Sequence, residues 1–183
     1  MLVAYMICAG IWLAILFLWI IPVIRKRMFY EIYMACGLGI YFSLIVLGDM
    51  LWKSGNILLL RYIGYIFFIP GAIFVVFAFI GLKHKGKPTS GWEPTTKLVA
   101  CGIFRVVRHP LYLGSALFTV GVILVIQSIP STLLGCIAIF FFWMASKGED
   151  KFNVQKFGDA YREYMERIPL WNFLSGLYRL RRR

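Results

Sequence analysis

A chain of 183 residues that is 61% hydrophobic and only 15% charged, with a mean hydropathy of +0.78, is too apolar for a soluble domain and too short for many membrane spans. Its formal net charge of +12 would suit nucleic acid, but no interleaved basic and aromatic single-strand motif accompanies it, so the charge reads as membrane topology with no nucleic-acid partner.

Uncharged stretches order the chain. Residues 1–24 have no basic segment ahead of them and are followed by further runs of similar length, so they read as a retained helix rather than a secretory signal. Residues 32–48, continuing past Asp49 to Trp52, and residues 62–82 each suit one helix, since about 20 apolar residues cross a hydrocarbon core of roughly 30 Å. The run 110–146 does not: as one helix it would be about 55 Å long, more than tilt absorbs. Its polar, proline-bearing break is Gln127-Ser128-Ile129-Pro130-Ser131, which predicts a tight hairpin between two helices. The expected fold is therefore an all-α integral membrane protein with five transmembrane helices, the last two a tight helical hairpin.

Five spans put eighteen of the twenty Lys and Arg residues on one side and leave only Lys53 and Arg61 on the other. Because short cytoplasmic loops carry an excess of Lys and Arg, the N-terminus is expected outside and the C-terminus in the cytoplasm. Residues 1–82 then supply three helices. Residues 83–183 form the functional core, because their inner segments, 83–109 and 147–183, are too long for connectors.

Cys8, Cys36, Cys101 and Cys136 form no CxxC and have no His or acidic residue at metal-ligand spacing. They imply neither a disulfide framework nor a metal site, and three of them read as small core hydrophobes, Cys101 alone lying in a polar segment.

The first inner segment opens with turn formers (Gly86, Pro88, Ser90, Gly91, Pro94) and becomes apolar at KLVACGIF. Next comes VVRHPLYLG. Pro110 suits the first position of a helix, where its missing N–H would be unpaired anyway, and His109 falls at or beside the N-cap. The positive helix end, Arg108 and His109 together make a seat suited to an anionic group, the plainer alternative being a membrane-boundary charge.

The second inner segment begins with Glu149-Asp150, which the hairpin brings beside the start of the fourth span. Tyr161, Tyr164 and Ile168 follow at i, i+3 and i+7 on one helical face, with Gly158 interrupting the helix before them and Pro169 ending their own. A cytoplasmic pocket is expected between the basic helix mouth, the acidic pair, KLVACGIF and the tyrosine face. Separately, each part has a plainer reading: a solvated helix end for the acidic pair, tail packing for the tyrosines. The closing LWNFLSGLYRLRRR has the aromatic and basic mix of an interfacial segment, its final arginines reading as an anchor to anionic lipid or as a disordered end. No internal repeat is present.

The order of these elements resembles the isoprenylcysteine carboxyl methyltransferase family and the related phospholipid N-methyltransferases. The shared pattern is a glycine and an aromatic before RHPxYxG, an acidic pair after a hairpin, and FGxxYxxYxxxVP. Here it is carried by Gly102 and Phe104, Arg108-His109-Pro110-Leu111-Tyr112-Leu113-Gly114, Glu149-Asp150, and Phe157-Gly158 through Ile168-Pro169. The resemblance runs from Thr96 to Pro169. It implies S-adenosylmethionine bound from the cytoplasm by Thr96, Lys97, Leu98, Val99, Phe104, His109, Pro110, Leu111, Tyr112 and Glu149, with S-adenosylhomocysteine as product. It also implies a lipid-like methyl acceptor that enters from the bilayer, and no obligate protein partner.

Two positions depart from the family. Phe104 stands where tyrosine is common, and Ala145, Ser146 and Lys147 stand where relatives acting on prenylcysteine carry an arginine to face a carboxylate. Lys147 has the charge but not the planar fork. An acceptor carboxylate would need only an orienting cation, whereas an acceptor amine must lose a proton, for which Glu149 is the candidate base. Two rival classes remain. Sterol reductases of membranes share a similar pattern and use NADPH, but need more spans. A transporter or scaffold would be expected to carry charges inside the spans, which here are almost free of them.

Overall fold

The computed structural model describes residues 1–25, 28–52, 55–86 and 95–182. Among these the chain is helical, with no strand. The first run comprises α1 (Leu2–Ala14), a π-helical segment (Ile15–Ile20) and α2 (Ile21–Arg25). Pro22 has no N–H to return to the carbonyl four residues back, and the wider π turns lie directly ahead of it. Then come α3 (Tyr30–Leu51), α4 (Leu58–Lys85), α5 (Pro110–Ile126), α6 (Ile129–Phe157), α7 (Asp159–Arg167) and α8 (Phe173–Arg181).

Among the described residues, four helical stretches are long and apolar enough to cross a membrane: Leu2–Ile20, Tyr30–Gly48, Leu58–Lys85 and Ile129–Phe157. Helix α5, with 17 residues, is apolar but shorter, about 26 Å at 1.5 Å per residue. The chain is thus a multi-pass membrane protein with, among the described residues, four full-length candidate spans and one shorter apolar helix, α5. Large apolar side chains such as Leu18, Leu59, Ile66 and Leu133 stand exposed around the bundle, as lipid-facing surfaces require.

The hairpin forms at the expected break. Gln127 closes α5 in the left-handed region (φ 55°), and Ser128 caps α6 by accepting from the Ser131 N–H at 3.2 Å. The Gln127 side chain also clasps the chain entering α4: its Oε1 accepts from Ile57 N–H at 2.9 Å and its Nε2 donates to Ile57 O at 2.8 Å.

Small residues set the packing of α4 on α5. A Cβ at Gly64 would lie 2.8 Å from Gly121 O, and one at Gly114 would lie 2.8 Å from Gly71 O, so the two backbones approach at two levels, as glycines permit between membrane helices. On the other side α3 meets α6, where a Cβ at Gly148 would collide with the Tyr30 side chain. Met34, Tyr112, Ala116, Ala138, Phe142 and Ala145 form the buried centre of these contacts.

The chain after α4 returns to the bundle. Of the turn formers noted in the sequence, Gly86 caps α4, and Pro88, Ser90, Gly91 and Pro94 lie outside the described residues. A 3-10 turn, Gly102–Arg105, leads into α5. Gly158, at φ 60° and ψ −135°, breaks α6 from α7 in a backbone region that L side chains avoid, and α7 ends just before Ile168 and Pro169.

Candidate functional site

His109 is the N-cap of α5 and Pro110 its first residue. The cations at the start of α5 are engaged within the chain. Both are turned onto the acidic pair of α6. His109 Nε2 lies 2.7 Å from Asp150 Oδ1, and His109 Nδ1 lies 3.3 Å from Glu149 Oε2. Arg108 Nη2 donates to Asp150 Oδ2 at 2.9 Å. The hairpin explains why: it folds α6 back along α5, so residues 41 and 42 positions apart meet at one level.

With a carboxylate at each ring nitrogen, His109 has two acceptors and is best satisfied as the imidazolium. Burial works against that charge, but the hydrogen bonds and charges of Asp150 and Glu149 outweigh it and raise the pKa to about 9. At neutral pH His109 is a cation and a donor, not a base.

Helix α7 closes the cluster. The Tyr161 hydroxyl donates to Asp150 Oδ1 at 2.7 Å, and the Tyr164 hydroxyl donates to the Phe104 carbonyl at 2.6 Å. Burial raises the pKa of both hydroxyls well above the ordinary tyrosine value, and the charge of Asp150 adds to it at Tyr161. The tail is tied in by Arg108, whose Nη1 donates to Met165 O at 2.7 Å and Ile168 O at 2.9 Å, while its backbone N–H donates to Pro169 O at 3.0 Å. Trp171 Nε1 adds a bond to Ser146 Oγ at 3.0 Å.

The two carboxylates therefore differ in kind. Asp150, with a side chain 4% exposed, receives Arg108, His109 and Tyr161 and is consumed by them. Glu149, 31% exposed, faces His109, Tyr112 and Asn153 and retains access to a cleft. That cleft is lined by the apolar Leu82, Leu98, Val99, Phe104 and Phe157 and by polar groups that include Arg108, His109, Glu149 and Asn153.

Of the residues singled out from sequence, Leu98, Val99, Phe104, His109 and Glu149 line this cleft. Pro110 is buried at the helix start, Leu111 packs on the Ala78, Val99 and Phe104 cluster, and Tyr112 is buried behind Glu149. Thr96 and Lys97 are exposed, their backbone N–H groups donating to Gly86 O, and it is Thr95 that reaches the cleft. Lys147 is exposed and sits over the Trp143 ring, 5.7 Å from its centroid, not among the residues lining the cleft.

Leu82, Thr95 and Asn153 were missed as lining residues, whereas Arg108 belongs to the basic helix mouth expected at the pocket. Asn153 had one signal, a position one helical turn beyond Glu149. Leu82 had none, because it enters from the end of α4.

A bound S-adenosyl group fits this donor set. The apolar and aromatic lining residues would suit a purine, Glu149 keeps a carboxylate accessible to a cationic donor, and Arg108 Nε is a buried nitrogen with no hydrogen-bond partner.

A family model described as phospholipid methyltransferase matches residues 59–160, from the start of α4 into α7. The protein-S-isoprenylcysteine O-methyltransferase of Schizosaccharomyces pombe is 34% identical over 73 residues, which are 39% of this chain and 31% of that protein. Protein-S-isoprenylcysteine O-methyltransferase B of Arabidopsis thaliana is 31% identical over 78 residues, 42% of this chain and 40% of that protein. The matched region thus spans less than half the length of either relative. No solved structure matches the chain.

Proposed function

The chain belongs to the phospholipid methyltransferase family, and on that premise we propose that it is an S-adenosylmethionine-dependent methyltransferase of the membrane acting on a lipid-like acceptor. The observation that carries the reading is the division of labour in the acidic pair: Asp150 locks α5, α6 and α7 together, while Glu149 is left at the mouth of a half-apolar cleft.

S-adenosylmethionine supplies a methyl group already activated on a sulfonium, displaced in line by the acceptor. The chain's own work is to orient and desolvate, and fixing two reactants in line can contribute about 7 to 11 kcal/mol. Leu98, Val99 and Phe104 would receive the purine. His109, held as a cation, fixes the direction of Glu149, and Glu149 faces the region where donor and acceptor meet.

Of the two acceptor chemistries, the arrangement favours an amine. Among the described residues, the cations on the cleft are Arg108 and His109, both engaged by the acidic pair, and Lys147 lies elsewhere on Trp143. The acidic pair leaves an acceptor carboxylate no whole cation to itself, only the Nε–H of Arg108, whereas Glu149, the accessible carboxylate of the cleft, can hold and orient an ammonium headgroup. The acceptor would enter sideways from the bilayer, with α5 as a fifth span, the N-terminus outside and the site on the cytoplasmic side. In this reading residues 1–82 are a membrane support and residues 83–183 the catalytic core.

The test is calorimetric titration of the detergent-solubilised chain with S-adenosylhomocysteine and, separately, NADPH. Saturable binding of the thioether alone, weakened at least tenfold in Glu149→Ala, agrees with the reading. Binding of NADPH alone points to a reductase and rejects it.

A further inference from the structure

Arg108 makes three side-chain hydrogen bonds, to Met165 O, Ile168 O and Asp150 Oδ2, and its side chain is 8% exposed. Its Nε is the buried side-chain nitrogen or oxygen without a partner among the described residues. The chemistry of guanidinium makes this specific. The Nε–H and the outer Nη2–H point along one edge and ordinarily take both oxygens of a single carboxylate. Asp150 fills only half of that fork, because its Oδ1 is turned to His109 Nε2 and to the Tyr161 hydroxyl, each at 2.7 Å. The other half is left to something else. Arg108 also lines the cleft, together with Glu149, Leu98, Val99 and Phe104.

We propose that Arg108 Nε–H donates to the carboxylate of the amino-acid end of the methyl donor. That end then lies by the polar lining groups of the cleft and the purine by the apolar ones. The inference rests on the methyl-donor reading above and deepens it by orienting the donor. A carboxylate is the acceptor that matches a buried cationic N–H best, and a zwitterionic amino-acid end adds no net charge to a cluster in which Arg108 and His109 already balance Asp150 and Glu149. Neither a ribose hydroxyl nor a purine nitrogen would match the guanidinium charge.

The experiment compares the affinity of the full-length, detergent-solubilised chain for S-adenosylhomocysteine with that for its decarboxylated analogue, which keeps the amine and loses only the carboxylate. In the wild type the analogue should bind about tenfold to a hundredfold more weakly, the range of a charge-assisted hydrogen bond. In Arg108→Lys and Arg108→Gln, which remove the Nε–H, the two ligands should bind within about twofold of each other. Equal affinities in the wild type, or an undiminished difference in the variants, would overturn the assignment. Should neither variant fold, the wild-type ratio still decides. Failure of the wild type to bind either ligand defeats the methyl-donor reading itself, whereas tight binding of both alike removes only the role of Arg108.

Discussion

Asp150 Oδ1 stands 2.7 Å from His109 Nε2, with both side chains 4% exposed. This pair joins the first residue before α5 to the end of the α6 span, and Tyr161 bonds the same oxygen from α7. Removing one partner of a buried pair leaves the other charge uncompensated, at a cost of about 3 to 5 kcal/mol. Asp150→Ala is therefore expected to lose stability on that scale, and Glu149→Gln much less, because Glu149 is 31% exposed. Thermal unfolding of both variants in the same detergent checks it: equal melting temperatures would mean that Asp150 is not the lock.

The pH dependence of stability follows from His109. Its pKa rises from an ordinary 6.5 to about 9 on folding, so the folded state gains stability from the imidazolium that is fully present below about pH 6.5. It is lost as pH rises through about 9. A shift of this size corresponds to about 3 kcal/mol at order of magnitude. Wild type and His109→Gln should therefore differ most at pH 6 and converge by pH 10 in thermal unfolding; a difference that is flat across this range would show that His109 is neutral in the fold.

Gly158 is the joint that lets α7 turn back over the cleft. Its φ of 60° with ψ of −135° is a conformation in which an L side chain is strained by about 1 to 3 kcal/mol. A Cβ there would meet no neighbouring atom within 4 Å, so Gly158→Ala tests backbone strain alone. It should lower the melting temperature and weaken S-adenosylhomocysteine binding together, since Tyr161 and Tyr164 ride on α7. Unchanged stability would place the strain elsewhere.

Local features of this fold were legible because their causes are local. Pro110 needs no N–H partner at a helix start, Gln127 to Ser131 is the polar break of a run too long to be one span, and Gly158 and Pro169 interrupt helices by backbone chemistry alone. The partners of Arg108 and His109 were not legible in the same way. A helix start rich in cations looks like an anion seat, and although the hairpin put Glu149 and Asp150 beside it, only the fold shows which atoms pair: His109 with both carboxylates and Arg108 with Asp150, about 41 residues on. That Thr95 lines the cleft was not legible for a similar reason, since irregular backbone carries no periodicity from which to read a facing direction. The short length of α5 was visible in the hairpin, but its packing by glycines at 64, 71, 114 and 121 needed the neighbouring helix.

Lys147 separates the two acceptor chemistries. It follows Ser146, which is fully buried and bonded to Trp171, yet its own side chain is exposed and its ammonium sits over Trp143. A lysine so placed contributes at most about 1 kcal/mol through its cation–π contact. Once a lipid acceptor is identified, Lys147→Ala should leave kcat/KM for an amine acceptor within about twofold of wild type, because removing a group that touches neither ligand changes no transition-state contact. If the acceptor were a carboxylate oriented by Lys147, the same variant would raise KM by about tenfold or more, the loss expected for one charge-assisted hydrogen bond. Methyl transfer measured with amine-headed and carboxylate-headed lipids in the same vesicles, for wild type and Lys147→Ala, distinguishes these outcomes. A preference for the carboxylate that collapses in the variant would overturn the amine reading and move the acceptor to the Trp143 side of α6.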